Sequence, residues 1–131
     1  MTDSRSKGKR GELDAAKMIA RATGCRAWRG RQHRGGADSP DVRTDPDGCR
    51  IEVKRTERLD LYAAVDQARR ETPDAEQAVA VVHRRNGRPW VWIVPAERIE
   101  AFRQWLNDCA IHRCRDDSAV RDRDGKEQEP T

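Results

Sequence analysis

Apolar residues fall along this chain in short, separated groups, and the spacing within each group predicts the element it builds. From about Lys9 to Ala22, Leu13, Ala16, Ile19 and Ala20 recur at helical intervals and Gly24 closes the run, which predicts a first helix. Arg26 to Arg29 is a short strand candidate. Asp41 to Thr44 and Cys49 to Thr56 flank Asp45-Pro46-Asp47-Gly48, a turn sequence in which Pro sets one dihedral and Gly relieves strain, so a β-hairpin is expected.

Leu61, Ala64, Val65 and Ala68 again keep helical spacing, with Asp60 placed to cap the start and Pro73 to stop any continuation. Ala78 to His83 is an apolar strand, Asn86-Gly87 a tight turn, and Trp90 to Val94 a returning strand. Pro95 opens a last helix expected to turn Ile99, Phe102, Leu106 and Cys109 inward, and periodicity ends near Cys114. Trp90 and Trp92 alternate on their strand and share one face, which suits core or a dimer contact.

The order α, β, β, β, α, β, β, α predicts a mixed α+β fold, a central mixed sheet of about five strands flanked by helices, because a crossover helix separates the third strand from the fourth. At 131 residues the chain suits one domain, taken here as 1–114, with 115–131 a charged tail expected to be disordered.

Charge alters this outline. Hydrophobic residues make up 35% and charged residues 38%, so burial has to concentrate in the few apolar groups. From Met1 to Arg34 ten Lys or Arg face three acids, whereas from Arg115 to Thr131 the count is four against six. A basic front half suits a phosphate-binding surface, with Lys7, Lys9, Arg10, Arg29, Arg31 and Arg34 as candidates to track a DNA backbone. No apolar run is long enough for a signal peptide or a membrane span, and the four cysteines form no CxxC pair, so a cytoplasmic setting is expected. Cys109, His112 and Cys114 could be part of a zinc site, but a fourth ligand at convincing spacing is missing.

The candidate chemistry lies in the hairpin. Between Cys49 and Lys54 alternate residues point to opposite faces, so Cys49, Ile51 and Val53 can enter the core while Arg50, Glu52 and Lys54 line the other side. E-x-K alone is among the commonest patterns on a half-buried strand. Pro40-Asp41 raises its value: a turn closed by Pro46 and Asp47 places Asp41 opposite Glu52, while a bulged turn at Gly48 would shift it to Val53. Glu12 shares a helix face with Ala15, Ala16 and Ile19 and so points toward the sheet, although a partner arginine would explain it as well. Three carboxylates and a lysine suit phosphodiester hydrolysis with Mg²⁺, for which Mn²⁺ could substitute.

K-G-K-R-G-E at Lys7 to Glu12, P-D at Pro40-Asp41 and E-V-K at Glu52 to Lys54 resemble the PD-(D/E)XK nuclease superfamily, and within it the archaeal-type Holliday junction resolvases, over about Lys7 to Ile99. The resemblance implies a restriction-endonuclease-like core and metal binding by Glu12, Asp41, Glu52 and the Val53 backbone carbonyl, with Lys54 near the scissile phosphate. It also implies a catalytic-site glutamine at Gln67, a homodimer, branched DNA as substrate in recombination or repair, and the cytoplasm of a bacterial, archaeal or virus-infected host cell. Ser39 could match a loop serine of resolvases and stays outside the catalytic set. No tyrosine follows Gln67, and the segment from Gly30 to Pro40 is unusually basic. A phage or repair nuclease for linear or single-stranded DNA, a DNA-binding module without catalysis, and an assembly domain remain the alternatives.

Overall fold

The computed structural model of the chain describes residues 4–30 and 40–124, with side chains over 8–30 and 40–113. Helix α1 spans Ser4–Thr23, strand β1 Arg26–Arg29, β2 Val42–Asp45, β3 Cys49–Arg55, helix α2 Leu61–Arg70, β4 Ala78–Arg84 and β5 Val91–Ile93. A short 3₁₀ turn at Ala96–Arg98 then leads into α3, Ile99–Asp124. The order of elements is the one the apolar spacing predicts.

The five strands lie in chain order across one sheet. β1, β2 and β3 run antiparallel, β3 and β4 are parallel, and β5 returns antiparallel to β4. The parallel pair requires a crossover connection, and α2 is that connection. Because side chains alternate along a strand, each sheet face collects its own core. Ile51, Ala78, Ala80 and Val82 pack with Ala15, Ala16 and Ile19 of α1 and with Trp105 and Cys109 of α3. Val79 and Val81 face the other way, against Ala64, Val65 and Ala68 of α2. The protein is thus an α+β domain with a mixed five-stranded sheet and helices on both faces.

The ends of α2 follow from local chemistry. Asp60 is extended, and its carboxylate accepts from the Ala63 amide at 3.1 Å, supplying one acceptor for the otherwise unpaired first turn. Trp92 packs against Phe102 and Trp105 at ring separations of 5.6 and 6.5 Å, so the tryptophan pair of the last strand builds core, Trp90 included.

Several expectations need correction. Leu13, Leu61 and Ile99, each placed inward by spacing, are 43%, 41% and 50% exposed. All three sit at the margin of an apolar stripe, where a one-position rotation of the helix carries a side chain into solvent. In α3 the rotation brings Trp105, at 2% exposure, to the centre of the core. Asn86-Gly87 does form a turn, closed by the Arg88 amide on the Arg85 carbonyl at 3.1 Å, but β5 begins only at Val91 and the connection is longer than a tight hairpin. α3 continues to Asp124, beyond the end of the apolar pattern. The rest of the tail lies outside the described residues. No helix among the described residues is long and apolar enough to cross a membrane.

Candidate active site

The turn between β2 and β3 sets the register of the site. Val42 pairs with Ile51, the alignment produced by a turn closed with Pro46 and Asp47, and one step further brings Asp41 to Glu52. The bulged alternative, with Asp41 across from Val53, is not the pairing found. The Asp45–Pro46 peptide is cis, and Gly48 has φ +140°, a region that other residues rarely occupy. The Pro46 carbonyl accepts from both Thr44 Oγ1 and Trp105 Nε1, each at 3.0 Å, which ties the turn to the core.

Asp41 is held from two sides. Its carboxylate accepts from the Val53 amide at 2.8 Å, and its backbone carbonyl accepts from the Gly30 amide at 3.0 Å. Gly30 is the residue that permits this approach, since a Cβ there would lie 2.2 Å from the Pro40 carbonyl oxygen. Gly30→Ala is therefore expected to displace the start of β2, cost about 1–3 kcal/mol in chemical denaturation, and shift the Val53 amide resonance as its contact with Asp41 is lost. An unchanged Val53 resonance would show that Asp41 is positioned by something else.

Glu12 and Glu52 each meet an arginine. Glu12, on α1, accepts from Arg29 Nε at 2.6 Å. α1 can come this close because Gly11 faces the sheet, where a Cβ would sit 2.7 Å from Arg55 Cγ. Glu52, 5% exposed, accepts from Arg50 Nε at 2.8 Å, and Arg50 also reaches Glu71 at 3.2 Å. Lys54 donates to Gln67 at 3.2 Å, and the Gln67 amide donates to Glu71 at 3.3 Å. Glu52, Arg50, Glu71, Gln67 and Lys54 thus form one connected polar chain beneath α2. Arg50 and Glu71 are the members of this chain to which sequence reasoning assigned no role. Their signals were weak: a third polar residue on the E-x-K face, and an acid four residues after Gln67 on the same helix side.

Electrostatics sets Glu12 and Glu52 apart from an ordinary solvated face. Burial raises the proton affinity of Glu12, the nearby Asp41 raises it further, and Arg29 opposes both. Burial, and then Asp41, push Glu52 up to about 8 despite the Arg50 guanidinium. Asp41 therefore destabilises the anionic form of both neighbours, as expected where carboxylates crowd together in a partly dry setting.

This has a consequence for stability. A carboxylic acid held neutral by the fold keeps a proton that the unfolded chain releases near its ordinary value, 4.5. The folded state then binds more protons between about 4.5 and 8, so stability falls as pH rises through that window. In chelator, the melting temperature of the wild type is expected to decline from about pH 5 to about pH 8 more steeply than that of Glu52→Gln. Parallel curves would remove the raised Glu52.

Among the described residues no three His, Cys, Asp or Glu side chains are gathered closely enough to hold a metal ion as they stand. Glu12 turns to Arg29 and Glu52 to Arg50, while Asp41 is turned to the Val53 amide. The donor chemistry nevertheless fits a hard divalent cation: all the side-chain donors are carboxylate oxygens, and mutual repulsion leaves a local demand for positive charge. Of the expected phosphate-tracking residues, Lys9 and Arg10 are exposed on α1, and Arg29 is committed to Glu12. The side chains of Lys7, Arg31 and Arg34 lie outside the described residues, as does Ser39. Cys109 is fully buried, His112 faces Asp45 at 3.5 Å, and the Cys114 side chain is outside the described set.

No protein-family model matches the chain, and no curated protein does. Among solved structures the chain is similar to Hjc, a Holliday junction resolvase from the archaeal hyperthermophile Archaeoglobus fulgidus, at 22% identity and a TM-score of 0.49. The match covers 67% of this chain and 72% of that one.

Proposed function

We propose that the chain is a metal-dependent nuclease of PD-(D/E)XK type that hydrolyses DNA phosphodiester bonds, with a four-way junction as its preferred substrate and a homodimer as its working form. What supports this reading is the placement of Asp41, fixed by the Val53 amide at 2.8 Å and near enough to Glu12 and Glu52 to disfavour their charged forms, with Lys54 two residues along the strand from Glu52.

In this reading Glu12, Asp41, Glu52 and the Val53 carbonyl hold Mg²⁺ or a similar ion. When bound, such an ion supplies positive charge at a phosphate and makes a water easier to deprotonate at neutral pH. The chain's own residues do the rest. The Val53 amide fixes the rotamer of Asp41, and Gln67 holds the Lys54 ammonium where it can meet negative charge developing on a phosphate oxygen. Arg29 and Arg50 are the cations that Glu12 and Glu52 meet in the protein alone, at the positions a bound ion would contest. Lys9 and Arg10 offer phosphate contacts that read no sequence.

The test incubates purified protein with a labelled four-way junction and with the matching linear duplex, in Mg²⁺, Mn²⁺ and EDTA. Paired symmetric nicks confined to the junction and dependent on metal are expected. Equal cutting of the duplex would keep the nuclease and discard the junction. Absence of cutting under every metal would leave a DNA-binding module on this fold.

A further inference from the structure

α2 covers its face of the sheet over β3, β4 and β5, and among the described residues no helix packs on the outer side of β1 and β2. A cleft of about 290 Å³ lies there, running along β2 from Pro40 to Asp47. One side is the indole of Trp28, 47% exposed, whose register partner is Arg43. Arg50, Glu71, Thr72 and Gln77 line the opposite wall.

Thr72 lies mostly behind that wall: it is 3% exposed, and its hydroxyl, with no hydrogen-bond partner among the described residues, has no surface of its own in the cleft. The wall is rigid. Arg98, itself buried, donates to the carbonyls of Thr72, Asp74 and Gln77 at 2.8 to 3.0 Å and pins the connection from α2 to β4.

The charges select the occupant. Arg50 is shared between Glu52 and Glu71, and Asp47 lines the far end, so the interior offers no net attraction to an anion. What it offers is an aromatic face, a side-chain amide and a guanidinium edge, with the exposed Arg43 at the rim. A flat, neutral group with a hydrogen-bonding edge fits that interior, and a phosphate fits the rim. The volume is at the lower limit of small-molecule pockets, roughly 300–1,000 Å³, and suits a single ring system.

We propose that this cleft takes the base of an unpaired nucleotide next to the phosphate at Asp41, stacked on Trp28 and hydrogen-bonded by Gln77. The inference rests on the nuclease reading for the path of the strand: Pro40, the residue before Asp41, lines the cleft, and Arg50, which lines it too, donates to Glu52. An unpaired base stacks on an indole whatever its identity. A subsite of this kind selects DNA with a splayed nucleotide beside the cut over continuous duplex, without reading sequence.

The test uses the full chain in EDTA, so that binding is measured without cleavage. Fluorescence anisotropy is recorded for a set of tailed duplexes in which one abasic nucleotide is walked through each position around the single-strand boundary. One position is expected at which loss of the base weakens wild-type binding about tenfold. Trp28→Ala should bind the intact DNA as weakly as wild type binds that abasic DNA, and should be blind to the walk. Trp28→Phe should recover most of the difference. Trp28 is half exposed, so both variants are expected to melt close to wild type. The inference is overturned if no position matters, if Trp28→Ala senses the walk as wild type does, or if wild type binds none of these DNAs. Cleavage in Mg²⁺, measured in parallel, separates the two readings: protein that senses the base but never cuts keeps the subsite and loses the nuclease, and protein that cuts but senses no base loses only the subsite.

Discussion

Asp41→Asn is expected to lower DNA cleavage on the order of a thousandfold or more, roughly 4 kcal/mol of transition-state stabilisation, while leaving the fold intact. The asparagine side-chain oxygen can still accept from the Val53 amide, so the hydrogen bond at 2.8 Å has a successor and the melting temperature should hardly move. What disappears is the charge that both Glu12 and Glu52 experience. DNA binding in chelator should be retained or tightened, because a negative group beside a phosphate has been removed. A second readout does not depend on activity. With Asp41 neutral, one of the two influences that raise Glu52 is gone, and its carboxyl should titrate below its wild-type value of about 8 in an NMR experiment. Full cleavage activity in the variant would remove Asp41 from the site, and an unmoved Glu52 titration would remove the repulsion on which the proposed function rests.

Trp105→Ala is the substitution expected to cost most stability. The indole is 2% exposed, packs on Phe102 at 5.8 Å and Trp92 at 6.5 Å, and donates to the Pro46 carbonyl at 3.0 Å. Truncation of a buried aromatic typically costs about 3–5 kcal/mol, a large fraction of the roughly 5–15 kcal/mol available to a domain. Chemical denaturation should show that loss, with cleavage falling at least as far as the folded fraction falls, since the same indole ties the β2–β3 turn to the core. Trp105→Phe should cost less, since it keeps an aromatic ring in the core. A loss under about 1 kcal/mol for the alanine variant would mean that the core does not depend on this side chain.

How much of this was legible in the sequence differs from element to element. β1 and α2 have the predicted boundaries because both are punctuated chemically: Gly24 before β1, Asp60 and Pro73 around α2. Trp105 was missed because Ile99, Phe102, Leu106 and Cys109 keep helical spacing by themselves, and only packing against β4 and β5 shows that the buried stripe is rotated by about one position. In the site, the turn length narrowed the register to two, Asp41 opposite Glu52 or opposite Val53, and the pairing of Val42 with Ile51 selects the first. The arginine partners could not be counted in this way. A guanidinium at the end of a long side chain chooses its acid in three dimensions, and nothing in linear spacing connects Arg29 to Glu12 or sets Arg50 between Glu52 and Glu71. Thr72 was equally invisible, because an unpaired hydroxyl is a property of its surroundings.

The clasp between Gly30 and Asp41 has a further meaning for how such a protein can change. The Gly30 amide on the Asp41 carbonyl joins the end of β1 to the residue before β2, so the Asp41 backbone is fixed by a main-chain hydrogen bond while its carboxylate is fixed by the Val53 amide. The register of the acid is thus tied to two backbone atoms, so side-chain substitutions beside the joint can accumulate over generations without reaching it, much as a tool can exchange its grip without its cutting edge being reground.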